Sequence, residues 1–261
     1  FPYTTLFRSS GLERLTTLSD DIAEYRRAKD TAAFWLGLEN REQTEWVDDL
    51  LGRIHVQHDP NVSVCILDTG VNNGHPLLTP VLKNQACLTV NPPWGTHDHD
   101  GHGTLMAGIA AYGDLREALS SSEIVTLVHN LESVKILPPT GCNQQELWGY
   151  ITGEAVSRAE IQAPEQLRVF CLAISATDTR DRGRPSSWSG QIDQLSSGAL
   201  DDVRRLFILC AGNISDFTTI LNYPSAQITD SIHDPAQSWN SLTIGAFTEL
   251  DTLRDPSLSG F

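Results

Sequence analysis

Two residues in the first half of the chain have side chains suited to acid–base chemistry. Asp68 begins an Asp-Thr-Gly motif directly after the apolar run 62–67, and His102 lies within Gly-His-Gly-Thr. A carboxylate at a strand end can accept a hydrogen bond from an imidazole and fix its tautomer, although an aspartate in such a place is more often a turn residue. His102 is expected at the N-terminus of a small-residue helix, which favours the neutral imidazole over the charged form and so suits a general base. Glycine on both sides of His102 allows a tight turn and argues against a purely structural histidine.

A third motif, Ala211-Gly212-Asn213, follows the apolar run 206–210. The amide of an asparagine at a strand end can donate a hydrogen bond to a developing oxyanion, which typically stabilises a transition state by roughly 3–4 kcal/mol. Asparagine after glycine is also a common turn sequence. The motif therefore indicates an oxyanion donor only in combination with Asp68 and His102.

Four near-continuous apolar runs are expected to position these motifs. Runs of this kind are typical of strands buried on both faces in a parallel sheet, and helical patterns lie between them at 105–112, 146–161 and 187–200. Alternating strands and helices predict an α/β fold, a doubly wound, mostly parallel sheet with helices on both faces. The runs occupy residues 62–67, 133–137, 169–174 and 206–211.

The three motifs, in this order and at these places, resemble those of the subtilase family, the subtilisin-like serine proteases of peptidase family S8. The resemblance covers roughly residues 59–261 and implies that Asp68 orients His102, the general base, and that Asn213 stabilises the tetrahedral intermediate. It also implies that Ser175 and Ala176 line the substrate-binding strand. The expected activity is peptide-bond hydrolysis, with a polypeptide as the substrate.

The chain departs from the family pattern in two places. Leu105 follows Gly-His-Gly-Thr where a second histidine is common, and no Gly-Thr-Ser sequence follows Asn213. We expect the nucleophilic serine to lie beyond this fragment, which would then be inactive alone and have a fold incomplete at its C-terminus. The serines after Asn213 lack the required context; the candidates considered are Ser225, Ser231, Ser238, Ser241, Ser257 and Ser259.

The N-terminal part divides into two segments. Residues 1–9 resemble a translated sequencing adapter and are interpreted as an artefact, so that the native N-terminus is expected to be missing. Residues 10–58 are predicted to be a helical segment, with helical apolar spacing over residues 12–28 and a second helix from near Asn40. The apolar face of this second helix is formed by Trp46, Leu50, Leu51 and Ile54. The catalytic domain is predicted to span residues 59–261.

A cluster of alternating histidines and aspartates precedes His102. Residues 97–100 read His-Asp-His-Asp, which could bind zinc, but a polar loop that leads into the catalytic helix is favoured. No EF-hand spacing occurs, so structural calcium stays open. We predict no metal and no cofactor.

Composition excludes several classes of partner. The net charge of −15 argues against nucleic acid, which requires a basic surface, and the apolar runs are too short to span a membrane. Five cysteines without a CxxC motif favour free thiols in a reducing compartment, and hence a cytoplasmic location.

Two alternatives are weighed against a serine protease. An aspartic protease also uses an Asp-Thr-Gly loop, but it needs two such carboxylates, and a single motif is present here. A pseudoprotease, a subtilase fold used for binding, would lack the serine natively.

Overall fold

The computed structural model describes residues 32–57, 61–176, 183–213 and 231–246, and the chain divides into two units, Phe1–Glu39 and Asn40–Phe261. In the first unit the described part contains one short helix, α1 (Ala32–Leu36). The helical pattern predicted near residues 12–28 lies outside the described residues. The second unit carries all the elements discussed below.

The strands of the second unit are β1 (Ile54–Val56), β2 (Val62–Asp68), β3 (Cys87–Thr89), β4 (Val125–Leu127), β5 (Asn130–Lys135), β6 (Leu167–Leu172), β7 (Leu206–Cys210) and β8 (Leu242–Ile244). Six of them form the main sheet, which is parallel and has the order β3-β5-β2-β6-β7-β8. The longest pairings, of β2 with β5 and β6, lie at its centre. Strand β1 pairs with β4 in a separate parallel ladder.

Helices cover both faces of this sheet. The helices of the second unit are α2 (Asn40–Leu51), α3 (His102–Tyr112), α4 (Leu115–Ser120), α5 (Trp148–Gln162) and α6 (Ser187–Ser197). Leu67 of β2 belongs to a core formed with α5 and α6, whereas its neighbour Ile66 belongs to a second core formed with α3. This alternation confirms the doubly wound α/β fold.

Several predicted boundaries differ from the structure, and two of the differences have a clear physical reason. Ile54, expected on the apolar face of the second helix, lies instead in β1, because α2 ends at Leu51. Strand β5 begins at Asn130, three residues before the predicted run, and includes Glu132. Hydropathy missed this part because the buried Glu132 is polar, and its charge is balanced by Arg168, whose Nε and Nη2 donate to the carboxylate at 2.6 and 3.0 Å.

Helix α3 lies unusually close to the end of β2. A Cβ atom on Gly103 would be 2.1 Å from the carbonyl oxygen of Gly70 and 3.2 Å from Cβ of Asp68. Glycine is therefore required at position 103, since any side chain would push the first turn of the helix away from the strand. Gly108, further along the same helix, has no atom within 4 Å of such a Cβ.

We predict that Gly103→Ala lowers the free energy of unfolding by about 2–3 kcal/mol through this backbone clash. Gly108→Ala is the matched control and should raise stability by up to about 1 kcal/mol, because alanine favours helix more than glycine does. Urea denaturation followed by circular dichroism measures both. Equal effects of the two substitutions would contradict the close approach.

Candidate active site

Asp68 and His102 meet at the carboxyl end of β2. Asp68 is the last residue of that strand and is fully buried, while the imidazole of His102 is 38% exposed. Nδ1 of His102 lies 2.9 Å from each carboxylate oxygen of Asp68, and the Thr69 backbone N–H donates to Oδ1 at 2.7 Å. With its proton on Nδ1, the imidazole donates to Asp68, which leaves Nε2 as the free basic nitrogen.

His102 owes its position to the start of α3. It is the first residue of the helix, and Gly101 before it adopts a left-handed conformation with φ of 99°. This sharp turn follows the loop and places the imidazole at the helix N-terminus, beside the end of β2. Gly101 thus permits the tight turn before the helix, and Gly103 permits the close approach of the helix to the end of β2.

Asp98 is the hydrogen-bond centre of this region. Its Oδ1 accepts from Thr69 Oγ1 at 2.8 Å and from the backbone N–H groups of Asp100 and Gly101 at 3.0 and 2.8 Å. Its Oδ2 accepts from the N–H and the hydroxyl of Thr104 at 2.8 and 2.6 Å. One buried carboxylate therefore joins the segment after β2 to the first turn of α3.

These contacts give the His-Asp-His-Asp cluster a structural explanation. Both oxygens of Asp98 are occupied by protein donors, as expected for the polar loop favoured by the sequence. In the described ranges, no group of three His, Cys, Asp or Glu side chains is arranged to hold a metal ion.

The hydrogen bonds also control the ionisation of Asp98. Burial alone would raise the pKa of this carboxyl, but the donors from Thr104, Gly101 and Thr69 lower it by more, so the pKa lies well below its usual range. The folded state therefore holds Asp98 as a carboxylate.

Lys135 binds the backbone of the loop that precedes Asp98. This lysine, the last residue of β5, is fully buried, and its Nζ donates to the carbonyl oxygens of His97 at 2.8 Å and Trp94 at 3.3 Å. Burial lowers its pKa, while the nearby charge of Asp98 acts in the opposite direction. A lysine inside the apolar run SVKIL was a signal for such a role, which sequence reasoning did not use.

Asn213 lies just beyond the end of β7. The preceding Ala211 is held by two backbone bonds, its N–H donating to Ile244 at 2.9 Å and its carbonyl accepting from His233 at 2.9 Å. Gly212 has φ of 107°, and a Cβ there would be 2.4 Å from the His233 ring. The exposed Asn213 is thus reached through a turn that only glycine fits.

A cleft of about 360 Å³ brings the predicted residues together. Asp68, His102, Asn213 and Ser175 all line it, at the carboxyl edge of the sheet. Apolar side chains form much of the remaining wall, among them Ile136, Leu137, Trp148, Ile151 and Trp188.

Ser175 and Ala176 differ in their surroundings. Strand β6 ends at Leu172, so both residues lie beyond its ladder, whereas the sequence predicted a strand to 174. Ser175 lines the cleft, but Ala176 is not among the lining residues. The N–H of Ala176 donates to the Asp234 carbonyl at 2.8 Å, and its own carbonyl lies 2.9 Å from Nδ1 of His233.

All five cysteines are free thiols. Cys65 and Cys87 are buried and Cys142 is exposed, where it lines the cleft. Burial raises the pKa of Cys87 to about 11, and burial together with the charge of Asp68 raises that of Cys171 to about 11.

Comparison with known proteins identifies the family. Residues 59–260 match the Subtilase family, Peptidase_S8, over most of the chain. The chain therefore belongs to the subtilase family and has the fold of its serine proteases. No curated protein sequence matches it, and no described helix is long and apolar enough to cross a membrane.

Solved structures similar to the chain include three bacterial proteases. The nisin leader peptidase NisP from Lactococcus lactis has 16% sequence identity and a TM-score of 0.41, and the match covers 72% of this chain and 61% of that one. A serine protease of Aeromonas sobria has 23% identity and a TM-score of 0.39, with 58% of this chain and 25% of that one covered. The epidermin leader peptide processing serine protease EpiP from Staphylococcus aureus has 13% identity and a TM-score of 0.42, with 79% of this chain and 52% of that one covered. The chain thus spans between a quarter and about three fifths of the length of these structures.

We predict that Asp98→Ala lowers the free energy of unfolding by about 3 kcal/mol, because five donors in buried or partly buried hydrogen bonds lose their acceptor. Asp98→Asn keeps one acceptor oxygen and should lose less. Because folding lowers the pKa of Asp98, its charge stabilises the protein in full above about pH 4, and this contribution is lost as the pH falls further.

Urea denaturation of the wild type and Asp98→Asn at a series of pH values measures this linkage. The stability difference should be constant near neutrality and shrink below about pH 4. A difference that stays the same down to acidic pH would show that the charge of Asp98 does not matter.

Proposed function

We propose that the polypeptide to which this chain belongs is a serine endopeptidase with an Asp68–His102–serine triad. The observation that carries the proposal is the pair itself, a fully buried carboxylate with both oxygens 2.9 Å from Nδ1 of a half-exposed imidazole that lines a cleft. Buried Asp68 is shielded from water, and His102 is open to a substrate. This asymmetry suits an orienting group and a general base, respectively.

The serine nucleophile is proposed to lie on a segment outside this sequence. No Gly-Thr-Ser occurs in the 261 residues, and family membership makes such a segment the expected source of the third group. His102 Nε2 would take the proton of the serine hydroxyl as that oxygen attacks the peptide carbonyl carbon. The imidazolium that forms is stabilised by the Asp68 carboxylate.

Asn213 is proposed to bind the oxyanion of the tetrahedral intermediate. Its exposure at the edge of the cleft, on a turn fixed by Gly212 and His233, supports this role. When the intermediate collapses, His102 returns the proton to the leaving amine, and water then hydrolyses the acyl-enzyme by the same route.

The substrate is proposed to bind as an extended polypeptide beside residues 173–175. The backbone N–H and carbonyl of Ser175 have no hydrogen-bond partner among the described residues, so they are available to pair with a substrate strand. The corresponding groups of Ala176 are already bonded to residues 233 and 234, so they are not available to pair with a substrate. A role for Ala176 in substrate binding stays a prediction.

A catalytically inactive binding protein is the second candidate. The missing Gly-Thr-Ser is the observation that favours it. The cleft, in which the Ser175 backbone groups bond to no described residue, would then hold a polypeptide without cutting it. In either case, five free cysteines favour a reducing compartment, and we propose the cytoplasm.

The test uses the longest polypeptide encoded by the same gene. We predict that His102→Ala lowers kcat/KM for peptide hydrolysis by about 10³- to 10⁶-fold, the range of losses when the histidine of a triad is removed. His55→Ala is the matched control, because His55 is an exposed histidine on β1 outside the cleft, and it should retain full activity.

Two results would decide against the protease. Hydrolysis by His102→Ala at the wild-type rate would remove His102 from the mechanism. A complete polypeptide that binds peptides but never cleaves them, and never reacts with a serine-directed phosphonate, would favour the binding protein.

A further inference from the structure

Asp100 places a carboxylate at the rim of the cleft. It lies two residues before His102, is exposed, and lines the cleft together with Asp68 and His102. Its backbone N–H donates to Asp98 Oδ1 at 3.0 Å, and the next N–H, of Gly101, donates to the same oxygen at 2.8 Å. The backbone that carries Asp100 is therefore fixed beside the catalytic pair.

The three aspartates of this region differ in how their carboxylates are used. Asp68 is engaged by His102 and Thr69, and Asp98 by five donors. The side chain of Asp100 has no hydrogen bond or ion pair with any residue that the structure describes. Of the three carboxylates, that of Asp100 alone has no partner within the described ranges.

No basic side chain neutralises this charge in the described part of the cleft. The described lining residues include no lysine or arginine, and apolar side chains such as Leu137, Trp148 and Ile151 form much of the wall. Low-dielectric walls reduce screening and strengthen the attraction between a bound cation and a nearby carboxylate. The overall charge of −15 acts in the same direction at longer range.

We propose that Asp100 is a specificity-determining residue that makes the cleft prefer polypeptides with a lysine or arginine side chain next to His102. This rests on the proposed function, because it specifies which polypeptides the same cleft binds. The ammonium or guanidinium group pairs with the Asp100 carboxylate, and an acidic side chain at the same position is repelled.

The test measures peptide binding by isothermal titration calorimetry to the 261-residue chain. The decapeptides consist of uncharged residues except at one test position, which holds lysine, norleucine or glutamate. This position is moved stepwise along the peptide. Norleucine keeps the alkyl chain of lysine without its charge. At the best position, we expect lysine to bind about five- to tenfold more tightly than norleucine, and glutamate more weakly than both.

Asp100→Asn should abolish the difference between lysine and norleucine. Glu123→Gln is the control, because it removes the same charge from an exposed residue outside the cleft, and the preference should remain. High salt should also reduce the preference in the wild type, since screening weakens exposed ion pairs.

The outcomes separate this inference from the proposed function. Peptides that bind the wild type equally well with lysine and norleucine, or that keep the preference in Asp100→Asn, overturn the role of Asp100 while a polypeptide-binding cleft stands. If no peptide binds at all, the cleft is not a polypeptide site and both proposals fall.

Discussion

The hydrogen-bonded carboxylate of Asp98 is the interaction on which the geometry of the site depends. It accepts bonds from both sides of the gap between β2 and α3, through Thr69 on one side and Thr104 on the other. The loop behind it is held by buried Lys135. Without these bonds the sheet would still position Asp68, but nothing in this loop would fix the direction from which His102 approaches it.

Close packing and polar contacts act together here. Gly103 lets the first turn of α3 touch the chain after β2, and Thr69 Oγ1 then accepts from the Gly103 N–H at 3.0 Å while donating to Asp98. The result is one buried and one half-exposed member of the same pair. Burial removes water from around Asp68, whereas the cleft keeps the other side of the imidazole accessible.

Much of the fold could be predicted from sequence because parallel strands buried on both faces leave a clear apolar signal. The runs that became β2 and β7 are examples, and Asp68 and Asn213 could be placed at the ends of these strands for the same reason. Ile54 was misplaced because apolar spacing alone does not distinguish the last turn of a helix from a short strand. Glu132 was missed because its burial depends on a partner, Arg168, that lies 36 residues away in the sequence.

The roles of Asp98 and Lys135 could not be read from residue types either. A histidine- and aspartate-rich loop is compatible with a metal site or with a capping network, and only the direction of the surrounding N–H groups distinguishes them. This network fixes the start of α3, which holds the His102 imidazole against Asp68 and so sets the imidazole tautomer. Nitrogen-15 NMR of histidine-labelled protein measures it directly, with Asp68→Asn used to assign the His102 signals. We predict that neutral His102 carries its proton on Nδ1 and leaves Nε2 bare; a proton on Nε2 in the wild type would contradict the proposed general base.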